Sequence, residues 1–259
     1  MVLVSFFAVL FFSLFIYLVL FYSGVQVKNI FVFGNQDIAS KDITDLIYPS
    51  VSRKILAVGN WEVSSRSIFF VDSKKLVQEI LYKFPSVTSA KISKQFPQTL
   101  DIEILERTPV GIFCQNLNDC FMIDRNGIIF KKISPDFSNN QYLVLKKPDS
   151  VKESSIGENV ISGNNMNYVM KVQKDLEDNC QTNIKEALIF ASQKLDIGTD
   201  QGWRIYFDLG PNADLDSQIL KLNRLLSGEI SPDKRSNLKY IDLRPKDRAI
   251  ICDNKLCGG

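Results

Sequence analysis

The sequence predicts an α+β protein carried on a single N-terminal transmembrane helix. A β-α-α-β-β unit follows, and then a mainly antiparallel β domain with two helices. Three observations predict this. Residues 2–22 are an apolar run, VLVSFFAVLFFSLFIYLVLFY, in which only Ser5 and Ser13 are small and polar. Residues 25–107 contain two stretches of helical spacing framed by alternating segments. From residue 108 onward short alternating segments and turn residues dominate, with two further helical stretches. The implied plan is an anchor (1–24), a first domain (25–107), a second domain (108–252) and a short tail (253–259).

As a helix the run is about 31 Å long at ~1.5 Å per residue, which matches a hydrocarbon core of roughly 30 Å. A cleaved signal peptide would need a basic start, a shorter apolar stretch and small residues before the cleavage point. The chain instead starts with a bare Met1, and Phe21-Tyr22-Ser23 offers no such site. A retained span is therefore favoured. No basic residue precedes it, whereas Lys28 and Lys41 follow, so the basic-residue count alone leans toward a cytoplasmic body.

The 237 residues beyond Tyr22 are enough for one large or two modest cores. The net charge of +2, with both signs interspersed, leaves no footprint for nucleic acid. Histidine is absent, which removes the commonest general base and the commonest metal ligand. Of five cysteines, Cys114 and Cys120 bracket QNLND, and Cys252 and Cys257 bracket DNKL. Each pair is spaced for a local disulfide worth roughly 2 kcal/mol by loop entropy. Reduced buried thiols fit equally well, and zinc fits less well because neither pair is CxxC. Disulfides would favour a body outside the cytoplasm.

Along the first domain, residues 28–33 (KNIFVF) read as a strand ended by Gly34-Asn35. Ser40 is placed as the N-cap of a short helix burying Ile43, Leu46 and Ile47, with Pro49 as its stop. Residues 50–70 read as loop with apolar anchors at Trp61, Phe69 and Phe70. Asp72 caps a stronger helix carrying Leu76, Ile80 and Phe84, ended by Pro85. Segments 87–94 and 99–106 are strands, the second with Leu100, Ile102 and Ile104 alternating with Asp101 and Glu103.

In the second domain, 110–114 and 120–124 read as a hairpin, and Arg125-Asn126-Gly127 turns the chain into 128–132. A helix is predicted over 165–178, strands over 184–190, 194–197 and 203–209, and a helix over 215–226. The final strands are 240–244 and 248–252. In 203–209, Trp203, Ile205, Phe207 and Leu209 share one face.

The motifs of catalysis are missing: no P-loop, G-x-G-x-x-G, H-E-x-x-H or G-x-S-x-G occurs. S-x-x-K occurs at Ser231/Lys234 and Ser236/Lys239, in a polar, Pro-containing connection, at a frequency expected by chance. Asp124, Asp208 and Asp242 are read as serving turns and solvated faces. The chain reads as a non-enzyme without cofactor, metal or small-molecule substrate.

The residues then reach a resemblance. Phe84-Pro85-Ser86-Val87, Phe96-Pro97-Gln98-Thr99-Leu100 and Glu106-Arg107-Thr108-Pro109-Val110 resemble the POTRA domain of the bacterial division proteins FtsQ and DivIB. Residues 30–35 (IFVFGN) are similar to that domain's first strand and turn. Residues 123–130 (IDRNGIIF) match the family's Asp-x-x-Gly turn. Asp208-Leu209-Gly210, followed by Lys221-Leu222, is similar to its Leu-Gly helix entry, and Tyr240-Ile241-Asp242-Leu243-Arg244 is close to its Tyr-Ile-Asp-Leu-Arg strand.

The resemblance implies a single-pass protein of the cytoplasmic membrane at the division septum, with its N-terminus inside and its body outside. This reading is adopted over the basic-residue count. The family's usual cytoplasmic tail is missing, which points to a minimal member or a misassigned start. The implied function is a scaffold that binds FtsB/DivIC-like and FtsL-like proteins and, through them, serves the septal peptidoglycan synthases. The alternative is a POTRA-bearing envelope-assembly or secretion factor, although no long barrel follows.

For the partner site, the expectation is β-augmentation, in which an extended segment adds to the open edge of the last sheet. Segment 248–251 is the expected edge because no later strand can cover it. Ala249, Ile250 and Ile251 would supply main-chain groups, Arg244 and Arg248 would meet acids, and Tyr240 would pack beside the added strand. Pro245 breaks the ladder between the two final strands.

Overall fold

The apolar run folds as helix α1, Val2–Phe21, and its described side chains up to Leu18 are exposed, as expected of a surface that faces lipid. The computed structural model describes residues 2–58, 61–116, 119–134, 142–148, 153–190, 193–254 and 257. The chain divides into two units, 1–107 and 108–259.

In the first unit β1 (Asn29–Phe33) leads to α2 (Ser40–Ser50), β2 (Arg53–Val58), β3 (Trp61–Ser65), α3 (Ser73–Lys83), β4 (Val87–Gln95) and β5 (Thr99–Glu106). The main sheet has the order β1-β5-β4. Strands β1 and β5 run parallel, whereas β4 and β5 form an antiparallel hairpin. Parallel neighbours need a crossover, and α2 and α3 provide it. Ile43 and Ile47 of α2 and Leu76 and Ile80 of α3 pack on Leu100 and Ile102 of β5, all fully buried. Asp72 caps α3 by accepting from the Lys75 amide at 3.1 Å.

Three sequence expectations are corrected in this unit. Residues 50–70 are not plain loop: β2 and β3 form a separate two-stranded hairpin. Their apolar positions lack clean alternation, and a register shift near Ile55 blurs the period further. Ser40 is the first helical residue rather than the cap, and Ala39 at the cap position offers no side-chain acceptor. Pro49 lies inside the last turn, because a proline there forfeits only one amide while Val51 still donates to Ile47.

The turn after β1 shows why Gly34 and Glu106 stand where they do. Gly34 has φ +82°, and a Cβ there would lie 2.2 Å from the Ile104 carbonyl oxygen. The Glu106 carboxylate accepts the amides of Gln36 (2.8 Å), Asp37 (3.0 Å) and Ile38 (3.1 Å). Burial alone would raise its pKa, but these three amides outweigh it and hold the carboxyl below its ordinary value. The sign follows from linkage: a folded-state pKa below the unfolded one stabilises at neutral pH, and the benefit fades as pH falls through the folded value. Glu106→Gln is therefore expected to speed amide exchange at residues 36–38 at neutral pH and to flatten the acid dependence of that exchange.

In the second unit β6 (Gly111–Cys114), β7 (Cys120–Ile123), β8 (Ile129–Ile133) and β9 (Leu143–Lys146) precede α4 (Gly163–Cys180). After it come β10 (Ile184–Ile189), β11 (Lys194–Thr199), β12 (Arg204–Asp208), α5 (Leu215–Arg224), β13 (Leu238–Asp242) and β14 (Ile250–Asp253). One nine-stranded sheet has the order β14-β13-β12-β11-β10-β9-β6-β7-β8. Its pairs are antiparallel except β6 with β9, β9 with β10 and β12 with β13. Helices α4 and α5 are the crossovers that two of those parallel pairs require.

The core lies between sheet and helices. Trp203, Ile205 and Phe207 meet Val169 and Leu176 of α4 and Leu222 of α5, all without exposed surface. Burying each large side chain is worth about 1.5–3 kcal/mol. Tyr168 packs edge-on against Phe207 at 5.7 Å. Strand β9 was not anticipated from sequence. Its four residues are too few to show a period, and only a parallel place between β6 and β10 defines it.

Candidate partner-binding edge

The last two strands are built by neighbours distant in sequence. Ile241 and Leu243 point into the core with no exposed surface, so the alternate residues Tyr240 and Asp242 of β13 occupy the opposite face. There the Tyr240 ring lies 5.2 Å from that of Tyr206 on β12. Asp242 is buried beside them. Burial pushes its carboxyl up, but the Arg244 side chain and amide outweigh this and hold it below its ordinary value.

Arg244 is thereby committed within the chain. Its Nε and Nη2 donate to the two Asp242 oxygens at 2.9 and 2.6 Å, and its backbone amide donates to Oδ1 at 3.1 Å. Asp124 and Asp208 likewise serve turns, accepting the amides of Asn126 and Ile128 and the amide of Gly210. Asp124 and Asp242 are buried, not solvated, because each carboxylate replaces lost water with backbone donors.

Strand β14 lies at the end of the sheet and, among the described residues, has β13 as its single neighbour. Ile250 is exposed, and Ile251 packs onto the core from the other face. The strand starts two residues later than sequence placed it. Arg248, which is exposed, and Ala249, which touches the core, belong to the connection and not to the edge.

The reason is Lys221 of α5. Its ammonium donates to the carbonyls of Leu243 (2.9 Å), Pro245 (2.6 Å), Lys246 (3.5 Å) and Arg248 (3.4 Å). Gathering four carbonyls about one charge bends residues 244–248 away from the ladder, which Leu243 still joins through its amide to Tyr206 at 2.9 Å, and Pro245 has no amide to resist. No local pattern in the sequence marks this role of Lys221, because it depends on residues more than twenty positions away.

Cys114 and Cys120 are joined across the β6–β7 hairpin, and Cys252 of β14 is joined to Cys257. Beyond β14 the chain turns: the Asn254 amide donates to Asn237 and the Cys257 amide to Asp253. Of the tail 253–259, residues 255–256 and 258–259 lie outside the described residues, as does the side chain of Trp61. Among the described residues no group of three or more metal-ligating side chains converges.

Comparison with known proteins matches segments of both units. The family "POTRA domain, FtsQ-type" matches residues 51–107, and the family "Cell division protein FtsQ/DivIB, C-terminal" matches residues 112–244. The "Cell division protein FtsQ" of Zymomonas mobilis subsp. mobilis is 30% identical over 69 residues, a stretch covering 27% of this chain and 22% of that protein. The second family spans half of the chain, including β13 and the Lys221 helix, and the chain accordingly belongs to the FtsQ/DivIB family of cell division proteins.

Proposed function

We propose that the protein is a non-catalytic, single-span scaffold of the division machinery. Its N-terminus lies in the cytoplasm and its body outside the cytoplasmic membrane, at the septum. An extended segment of an FtsB/DivIC-like or FtsL-like partner adds to β14, and these partners connect the scaffold to the septal peptidoglycan synthases. The observation that carries this reading is the place of β14, whose second edge has no strand beside it among the described residues. The two joined cysteine pairs favour the outer side of the membrane. Partners tethered in the same membrane meet at high effective concentration, so a four-residue edge suffices where it would fail in free solution.

In this reading the contact set is smaller than the one expected from sequence. Ile250 and its strand neighbours supply the edge, Tyr240 lies one strand inward, and Arg248 flanks the entrance. Arg244 acts by holding Asp242 rather than by meeting a partner acid. The test is capture of division proteins from solubilised membranes by the full-length chain and by Ile250→Pro, which removes one amide from the edge strand. The expected result is a loss of FtsB- and FtsL-like proteins of roughly tenfold, about 1.4 kcal/mol, with the emission of the buried Trp203 unchanged. Equal capture by a folded Ile250→Pro would exclude this edge. Recovery of outer-envelope assembly proteins instead would favour the assembly-factor reading.

A further inference from the structure

Among the described residues, the hairpin β2–β3 pairs only with itself. Among the described side chains, none from its apolar positions enters the core of the first unit, and Ile55 and Val63 remain 37% and 36% exposed. A lone two-stranded hairpin is marginal in water, so this one needs a surface to lie against. The sequence of β2, RKILAV, sets two basic residues beside four consecutive apolar ones.

The surroundings of its root say which surface. Ser65, the last residue of β3, donates its hydroxyl to the carbonyl of Leu20 at 2.5 Å, and the Gln26 side chain donates to the same carbonyl at 2.7 Å. Gln26 in turn accepts the Arg66 amide at 2.9 Å. Leu20 belongs to the final turn of α1. The root of the hairpin is thus hydrogen-bonded to the helix at the point where it leaves the apolar layer. Val63 stands two residues from Ser65, about 7 Å at ~3.3 Å each, and Ile55 lies across from it at the register shift between Lys54 and Leu56, so both stay close to that boundary. Arg53 suits phosphate groups there, Lys54 is paired with Glu62 of β3 at 2.6 Å, and exposed aliphatic side chains suit the adjoining acyl region.

We propose that β2–β3 is a membrane-contact element that lies in the headgroup layer of a bilayer containing anionic phospholipid, with Ile55 and Val63 against the lipid. It would fix the first unit at the membrane surface, so that the unit does not swing freely on its tether. The inference rests on reading α1 as a membrane span.

The test uses the full-length chain in nanodiscs of phosphatidylcholine and phosphatidylglycerol with lipids spin-labelled near the headgroup. Trp61→Phe/Val63→Trp places a reporter on the hairpin, and Trp61→Phe/Tyr22→Trp places one at the end of the span. The buried Trp203 contributes a constant background. Quenching at both positions to a comparable extent is the expected result. Quenching at position 22 alone would overturn the hairpin proposal while leaving the span intact, and quenching at neither would overturn both. An emission shift at position 63 that grows with protein-to-lipid ratio without quenching would assign the surface to a second copy of the chain and overturn the proposal.

Discussion

Replacing Gly127 by valine is expected to cost the second unit roughly 3–4 kcal/mol, seen as a lower urea midpoint with an unchanged slope. Gly127 closes the Asp-x-x-Gly turn with φ +74°, a conformation that costs an L-residue about 1–2 kcal/mol. A Cβ there would also lie 2.0 Å from the Ile161 carbonyl oxygen and 2.5 Å from its side chain. These atoms cannot retreat easily. The Val160 amide donates to the Gly127 carbonyl at 2.9 Å, Ile161 is buried, and Ser162 next caps α4. The control is Gly157→Ala, since Gly157 has φ +92° but nothing within 4 Å of the added methyl. That change is expected to cost only the backbone penalty of about 1–2 kcal/mol. Similar costs at the two sites would show that the close approach of the 160–161 segment does not matter.

The second large effect is expected at Lys221, and it separates folding from function. Lys221→Met keeps an aliphatic stem over α5 but withdraws the ammonium from four carbonyls, two of them at 2.9 Å or closer. Hydrogen bonds from a charged donor are worth about 1.5–3 kcal/mol each where they are well formed. Because the group sits near the surface, water replaces part of this, and about 2 kcal/mol is the expected loss. The loss falls on residues 243–248. Amide exchange across β14 should therefore accelerate while Trp203 emission stays constant, and partner capture should weaken about tenfold, as for Ile250→Pro. Lys221→Arg should not restore it, because a planar guanidinium cannot aim its donors at carbonyls clustered around one point. Wild-type capture by Lys221→Met would show that the connection does not position the edge.

Legibility in the sequence followed the range of the signal. Strand β5 was readable because Leu100, Ile102 and Ile104 repeat with period two on one buried face, and helix α3 because Asp72 caps a stripe at Leu76 and Ile80. The strand around Trp203 was equally clear. Ser40 misled because a good capping residue sits one position inside the helix it was expected to begin. Strand β9 and the hairpin β2–β3 escaped because one is four residues long and the other is broken by a register shift.

The partner edge divides along the same line. That the last segment would be a strand, and that Pro245 would interrupt the approach to it, was local information. Where the strand begins was not, since Lys221 reaches from α5 to set it. The commitment of Arg244 to Asp242 shows a limit of a different kind, because a spacing of two residues does not say whether an arginine turns back or reaches out.

By itself, then, the sequence determined the apolar anchor, the α+β class and the buried faces of its strongly periodic elements, such as β5, α3 and the strand around Trp203, because these depend on residue type and on periods of two and 3.6. Tertiary structure alone decided that β14 ends the nine-stranded sheet, that one lysine bends the chain before it, and that the root of the β2–β3 hairpin is tied to the end of α1. Those outcomes depend on which distant backbone groups meet, and main-chain carbonyls are present at every residue, so no local pattern of side chains marks the ones that will be used.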